Sequence, residues 1–256
     1  MLLRKLTLCL SVLVVILSLT PLVQAKRSKN KSQMGASAAT ANPTRPSVSD
    51  NAYLVTPGYL ELEIGGLIDP TAFAIPTLLK AAINKHIEVG LSSTGLVSVD
   101  RGASQTKAFQ DPGLQVKSLL VGTEHFSFAT VGRAEWIDHG DAQFTLYGVA
   151  SAAVSKIAAD VTLGGALAPQ GSGDYETDLN YAVALYPNWD NRFDFYGELF
   201  GTHGASGNPV GVDAGVSFAI TPRLVIDTAI FKGLNAAATD WQIQAGLTWT
   251  IARILP

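Results

Sequence analysis

The chain has 256 residues, 47% of them hydrophobic and 15% charged, with a formal net charge of −3. From Asn51 onward 20 acidic residues stand against 11 basic ones, a net of −9, which argues against nucleic acid as a partner. The single cysteine, Cys9, lies near the start, so the rest of the chain can form neither a disulfide nor a thiolate metal site.

Arg4 and Lys5, the apolar run from Leu6 to Leu19 and the small-residue pattern Val23-Gln24-Ala25 read as a secretory signal peptide over residues 1–25. The apolar run is shorter than the roughly 20 residues a spanning helix needs. Residues 26–52 are rich in Ser, Ala, Lys and Pro and lack periodicity, so a flexible, basic, solvated leader is expected there. No later apolar run approaches the length of a transmembrane helix. A barrel strand, by contrast, needs only about 9–11 residues of alternating polarity.

The remainder, residues 53–256, divides into twelve alternating segments: 58–66, 72–83, 86–96, 112–121, 126–136, 142–151, 159–168, 177–187, 192–202, 210–219, 223–233 and 241–252. Residues 77–83 carry a weak helical pattern, but Pro76 and the Asn84-Lys85 turn favour a strand. Short links at Asn84-Lys85, 123–125, 187–191 and 221–223 alternate with longer ones expected at 97–111, 170–176, 202–210 and 234–240. Short turns at one end and long loops at the other suit an outer-membrane barrel. The short link at 137–141 departs from this pattern. Trp136, Tyr186, Trp189, Phe193, Trp241 and Trp249 near strand ends suit interfacial aromatic girdles.

Successive side chains of a strand face opposite ways. In Tyr59–Ile64 both glutamates fall on one side. In Arg192–Gly201, Phe193, Phe195 and Leu199 oppose Asp194, Tyr196 and Glu198. The same rule puts Glu61, Glu63, Glu88, Glu135, Asp178, Asp194 and Glu198 on the polar face, with Asp213 and Asp227. Tyr196 joins them, and Lys80, Lys117 and Arg133 oppose them in charge. Charges are costly against lipid, so in a barrel these residues line the lumen. They would make either a cation-favouring path or a packed electrostatic plug. The fold expected is therefore an all-β, antiparallel up-and-down transmembrane barrel of about 12 strands.

Gln244–Ile251 carries the polar-x-Gly-x-x-aromatic-x-hydrophobic pattern that ends outer-membrane barrels, although here the chain continues to Pro256. "TPGYLELEIGG", "PTLLKAAINKHIEVGLSS" and "TDWQIQAGLTWTI", spread over residues 56–251, resemble the transporter-like outer-membrane proteins associated with the meta pathway of phenol degradation. That resemblance implies a small barrel in the bacterial outer membrane and a role in moving hydrophobic or aromatic small molecules. The partners expected of such a barrel are outer-membrane lipid, small-molecule solutes and, through the Gln244–Ile251 pattern, the barrel-assembly machinery; no cofactor is expected.

His203, Ser206 and Asn208 share one Gly-rich loop and read as a turn rather than as nucleophile, base and orienter. His86, His125 and His139 lack metal-ligand spacing, so no metal site and no enzyme are expected. The function expected is passive transport of small, aromatic or hydrophobic molecules. The alternatives are a structural or adhesive barrel with a plugged lumen, or a secreted soluble β-protein.

Overall fold

The computed structural model describes residues 39–102, 105–137, 141–170, 174–187, 192–205 and 207–255. The signal peptide, residues 26–38 of the leader, Trp189, His139 and Ser206 lie outside them. The strands are β1 Tyr59–Ile68, β2 Ala72–Ala74, β3 Thr77–Ala82, β4 Ile87–Asp100, β5 Gln105–Gly122 and β6 Phe126–Trp136. There follow β7 Ala142–Val154, β8 Ile157–Pro169, β9 Tyr175–Pro187, β10 Phe193–His203, β11 Val210–Thr221, β12 Leu224–Gly233 and β13 Trp241–Arg253. From β4 to β13 each strand pairs antiparallel with the next in sequence, and β13 returns to pair with β1 from Tyr59↔Arg253 to Ile68↔Ile243. The result is a closed antiparallel barrel of 12 wall strands.

Thirteen segments make twelve strands because β2 and β3 share one place in the wall, between β1 and β4. Proline cannot donate to a ladder, and Pro76 breaks the strand there. Ile75 N still bonds Val97 O at 2.9 Å and Gly65 N bonds Pro76 O at 3.2 Å, so the wall stays sealed across the break.

Two sequence expectations fail locally. The long loop expected at 97–111 is mostly strand: β4 and β5 continue as a hairpin to Asp100↔Gln105. Within that stretch of β5, Phe109 (φ 54°) and Asp111 (φ 43°) take left-handed backbone conformations, yet the register with β4 does not shift. Similarly, β7 and β8 run past residues 151 and 159 and meet at Val154↔Ile157 around a two-residue turn.

The outward face is apolar and uncovered. Leu91, Leu163, Leu185, Phe195, Leu199 and Ile230 are 46–58% exposed, whereas the inward Glu61, Lys80, Glu88 and Lys117 are at most 1% exposed. A continuous apolar belt around a polar interior is the reverse of a soluble protein and suits a bilayer. A fluorophore on a cysteine at 195, in a Cys9→Ser background, should therefore be quenched strongly by brominated lipid, and one at 198 should not. Equal quenching at the two sites would overturn the facing. Leu199→Arg should destabilise the inserted barrel by about 2–4 kcal/mol if mid-membrane, measured by denaturant unfolding in bilayers.

Candidate functional site

Residues 39–56 do not join the wall. Ala41 N donates to Pro222 O (2.8 Å) in the turn between β11 and β12, so the segment enters at the short-turn end. It folds back on itself inside the barrel, and Thr40 N meets Thr56 Oγ1 at 3.4 Å where the ends close. Asn42 Nδ2 donates to Tyr53 O (3.0 Å) and Asn51 Nδ2 to Pro43 O (2.9 Å), tying the two limbs. A compact loop with adjacent ends is an Ω-like stopper. Ala39, Ser49, Asp50, Ala52 and Val55 are buried in it. The described part of the leader is thus packed in the lumen, unlike the solvated linker expected of it. Residues 53–56, assigned above to the barrel, form its returning limb, and the wall begins at Tyr59.

The stopper is held chiefly through its main chain. Asn42 N donates to both carboxylate oxygens of Glu61, at 3.0 and 3.3 Å. Thr44 offers its N (2.9 Å) and Oγ1 (2.8 Å) to Glu63. Val48 N and Ser49 N both donate to Glu198, at 2.7 and 2.6 Å, and Val55 N donates to Glu88 at 2.8 Å. Four glutamates on β1, β4 and β10 therefore receive five peptide N–H groups. Hydrogen bonds to an ionised acceptor are about twice as strong as neutral ones. Ala52 N to Ser151 Oγ (2.8 Å) and Asp50 N to Thr162 Oγ1 (3.2 Å) extend the seat to β7 and β8.

The loop has one cation and one anion, placed on opposite walls. Asp50 accepts from Lys117 Nζ at 2.8 Å and from the Tyr147 hydroxyl at 3.3 Å. Arg133 lies behind, bonded to Gln115 Oε1 at 2.8 Å and 3.8 Å from Glu135. Arg45 reaches Asp227 at 3.4 Å. Its guanidinium rests on the paired Gly65 and Gly246; a Cβ on Gly246 would come within 2.8 Å of Arg45 Nη2. Lys80 sits between Glu63 (2.6 Å) and Glu61 (3.3 Å) and donates to Asn42 O at 2.8 Å. Ser151 Oγ also donates a short bond to Asp160.

The structure thus brings Glu61, Glu63, Lys80, Glu88, Lys117, Glu198 and Asp227 into direct contact with the stopper or its ion pairs. Tyr196 and Asp213 are buried beside Glu198. Arg133 and Glu135 flank the Asp50 pair. Asp178 is half-buried against Gly204, away from the stopper, and Asp194 is exposed. The loop at 203–208 closes through a Gly204↔Gly207 bridge. Sequence reasoning missed the stopper, Gln115, Tyr147, Asp160 and the Gly65/Gly246 niche. The available signals were the lone Arg45 and Asp50 in an uncharged stretch and the acidic excess of the wall.

Burial alone would raise the Asp50 carboxyl, but the charge and hydrogen bond of Lys117, with Lys80 and Arg133 behind, hold it below its ordinary value. A carboxyl lowered in the seated state contributes hold that is full above the free value of about 3.9. That hold is lost as pH falls through the lowered value, so this lock is intact at neutral pH. Asp50→Asn would leave Lys117 buried and unpaired, a penalty of about 3–5 kcal/mol, which release of the loop and entry of water would relieve. With Ser49→Cys in a Cys9→Ser background, a small maleimide should react slowly, and at least about tenfold faster once Asp50→Asn is added. An unchanged rate would show that the ion pair does not hold the loop.

No protein-family model matches the sequence, and no curated protein matches it. Among solved structures the chain is similar to a KdgM porin in complex with disordered oligogalacturonate, at 8% identity and TM-score 0.58 over 75% of this chain and 99% of that one. It is also similar to the NanC porin, at 8% identity and TM-score 0.57 over 75% and 100%. A COG4313 outer membrane channel from Pseudomonas putida F1 matches at 8% identity and TM-score 0.57 over 78% and 98%. At this identity the likeness is one of fold: the chain has the outer-membrane barrel architecture of porins and channels.

Proposed function

We propose that the protein is an outer-membrane channel for passive passage of small molecules, shut at rest by residues 39–56. One observation carries this reading. The wall closes on itself strand by strand, whereas the loop filling it is held by hydrogen bonds and two ion pairs that water can replace. A stopper of that kind can leave without opening the barrel. The apolar belt sits in outer-membrane lipid, and the β13 pattern addresses the barrel-assembly machinery. The resemblance to the transporter-like proteins of phenol degradation supports small aromatic or hydrophobic cargo. Oligogalacturonate, bound by the KdgM porin, is a polyanion; the acidic excess of this wall disfavours such a solute and suits neutral or cationic ones. We assign the protein no catalytic role.

A second reading is a barrel blocked for good, favoured by the complete burial of Glu61, Lys80 and Lys117. Planar-bilayer recording separates the two. Full-length refolded protein should show low conductance with brief openings, and deletion of residues 39–50 should give a steady open level. The deletion should keep heat-modifiable gel mobility, because every wall pairing survives it. A folded deletion variant that conducts no better than the full-length chain would sink the channel reading.

A further inference from the structure

Acids outnumber cations throughout the lumen, and most of the cations stand on one side. On the β1–β6 side, Glu61 and Glu63 share Lys80, and Asp50 takes Lys117. On the β10–β12 side stand Glu198, Asp213 and Asp227, and the loop supplies only Arg45, which goes to Asp227. Glu198 and Asp213 are directly opposed across the β10–β11 ladder and are 5% and 6% exposed. Among the described residues neither has a Lys, Arg or His partner.

Their surroundings make this costly. Tyr196, Phe231, Ala184 and Ala229 pack as a cluster, with Tyr186 and Phe200 against it. Tyr186 and Tyr196 have ring centroids 5.8 Å apart, and Phe200 and Phe231 5.9 Å apart. Two carboxylates beside aromatic walls with no cation between them are strongly disfavoured unless something positive joins them. Glu198 spends its acceptors on Val48 N and Ser49 N. Asp213 has no main-chain donor: neither of its buried oxygens forms a well-directed hydrogen bond, nor does the Tyr196 hydroxyl, although Glu198 and Tyr196 both stand within bonding reach of Asp213. The two Asp213 oxygens, the Tyr196 hydroxyl and the Glu198 carboxylate thus gather on one stretch of the wall, where Glu198 receives Val48 and Ser49 of the stopper.

We propose that Glu198, Asp213 and the Tyr196 hydroxyl form a binding site for a hard divalent cation, Ca²⁺ in the first instance. The donor set is all oxygen, which suits Ca²⁺ or Mg²⁺ and not a soft transition metal. Solvent would complete the six to eight ligands that Ca²⁺ takes. Among the described residues no group of three or more His, Cys, Asp or Glu side chains gathers as a metal site, and two carboxylates imply weak binding, on the order of 10⁻⁴–10⁻³ M. Because Glu198 also anchors Val48 and Ser49, an occupied site steadies the seat of the stopper. The site stands whether or not the channel reading does.

The test uses the full-length barrel refolded in detergent and Tb³⁺ as a luminescent stand-in for Ca²⁺, since Tyr186 and Tyr196 can sensitise its emission. Excitation of the aromatics should give saturable Tb³⁺ emission that Ca²⁺ displaces. Asp213→Asn should weaken Ca²⁺ binding at least about tenfold, and Tyr196→Phe should weaken it severalfold, with both variants keeping heat-modifiable mobility. Absence of Ca²⁺-displaceable emission in the parent protein would overturn the proposal and point instead to a proton shared by the two carboxyls. Undiminished binding in folded Asp213→Asn would overturn it too. Should Asp213→Asn fail to refold, Tyr196→Phe decides: unchanged Ca²⁺ affinity there counts against the site.

Discussion

Everything inside this barrel depends on the need to compensate wall carboxylates that are cut off from bulk water. A lumen of 12 strands is too narrow to leave such groups generously hydrated once a polypeptide enters it. Burying a charge is tolerable only when it is paired and hydrogen-bonded. The protein meets this condition with peptide N–H groups: five from the loop, received by Glu61, Glu63, Glu88 and Glu198. Main-chain donors come at fixed spacing and carry no charge of their own. They can satisfy a ring of acids without adding a matching ring of lysines.

The same arrangement explains why the wall was legible and the stopper was not. A strand declares itself by a period of two, and Trp241–Ile251 or Phe193–Leu199 shows that period plainly. The loop makes its contacts through backbone atoms, which every non-proline residue has. Asn42, Thr44, Val48, Ser49 and Val55 therefore need no pattern in common, and their stretch looks like a linker. The loop 97–111 failed for another reason: its polar stretch looks like a link, but β4 and β5 pair through it in unbroken register to Asp100↔Gln105. Alternation alone set Glu61, Glu63, Glu88 and Glu198 on the face opposite the apolar belt. What alternation could not say is which of them meet the loop, because that depends on a segment distant in sequence.

Two local devices set the position of the loop. Gly65 and Gly246 oppose each other on β1 and β13 and lack side chains just where Arg45 lies against the wall. Without that gap the guanidinium could not come within reach of Asp227, which neighbours Gly246 across the β12–β13 ladder. On the opposite wall, Lys117, Tyr147 and Arg133 make the one setting in which Asp50 can be buried as an anion. The two charges are five residues apart near the tip of the loop. They fix its rotation as well as its depth, since turning it by half would set Arg45 against Lys117 and Asp50 against Asp227.

The energetic consequence concerns release. A loop bound through apolar contacts would expose oil to water on leaving and would resist removal at every step. Here each N–H and carboxylate that separates is taken up by water, so the net cost per hydrogen bond is about 0.5–1.5 kcal/mol, not its full strength. The buried ion pairs behave alike, because their desolvation penalty is refunded when the lumen floods. The seat is therefore specific in geometry and moderate in strength. It holds against random entry of solutes and still yields to a modest shift in the balance, while the wall, bonded strand to strand around its whole circumference, does not change.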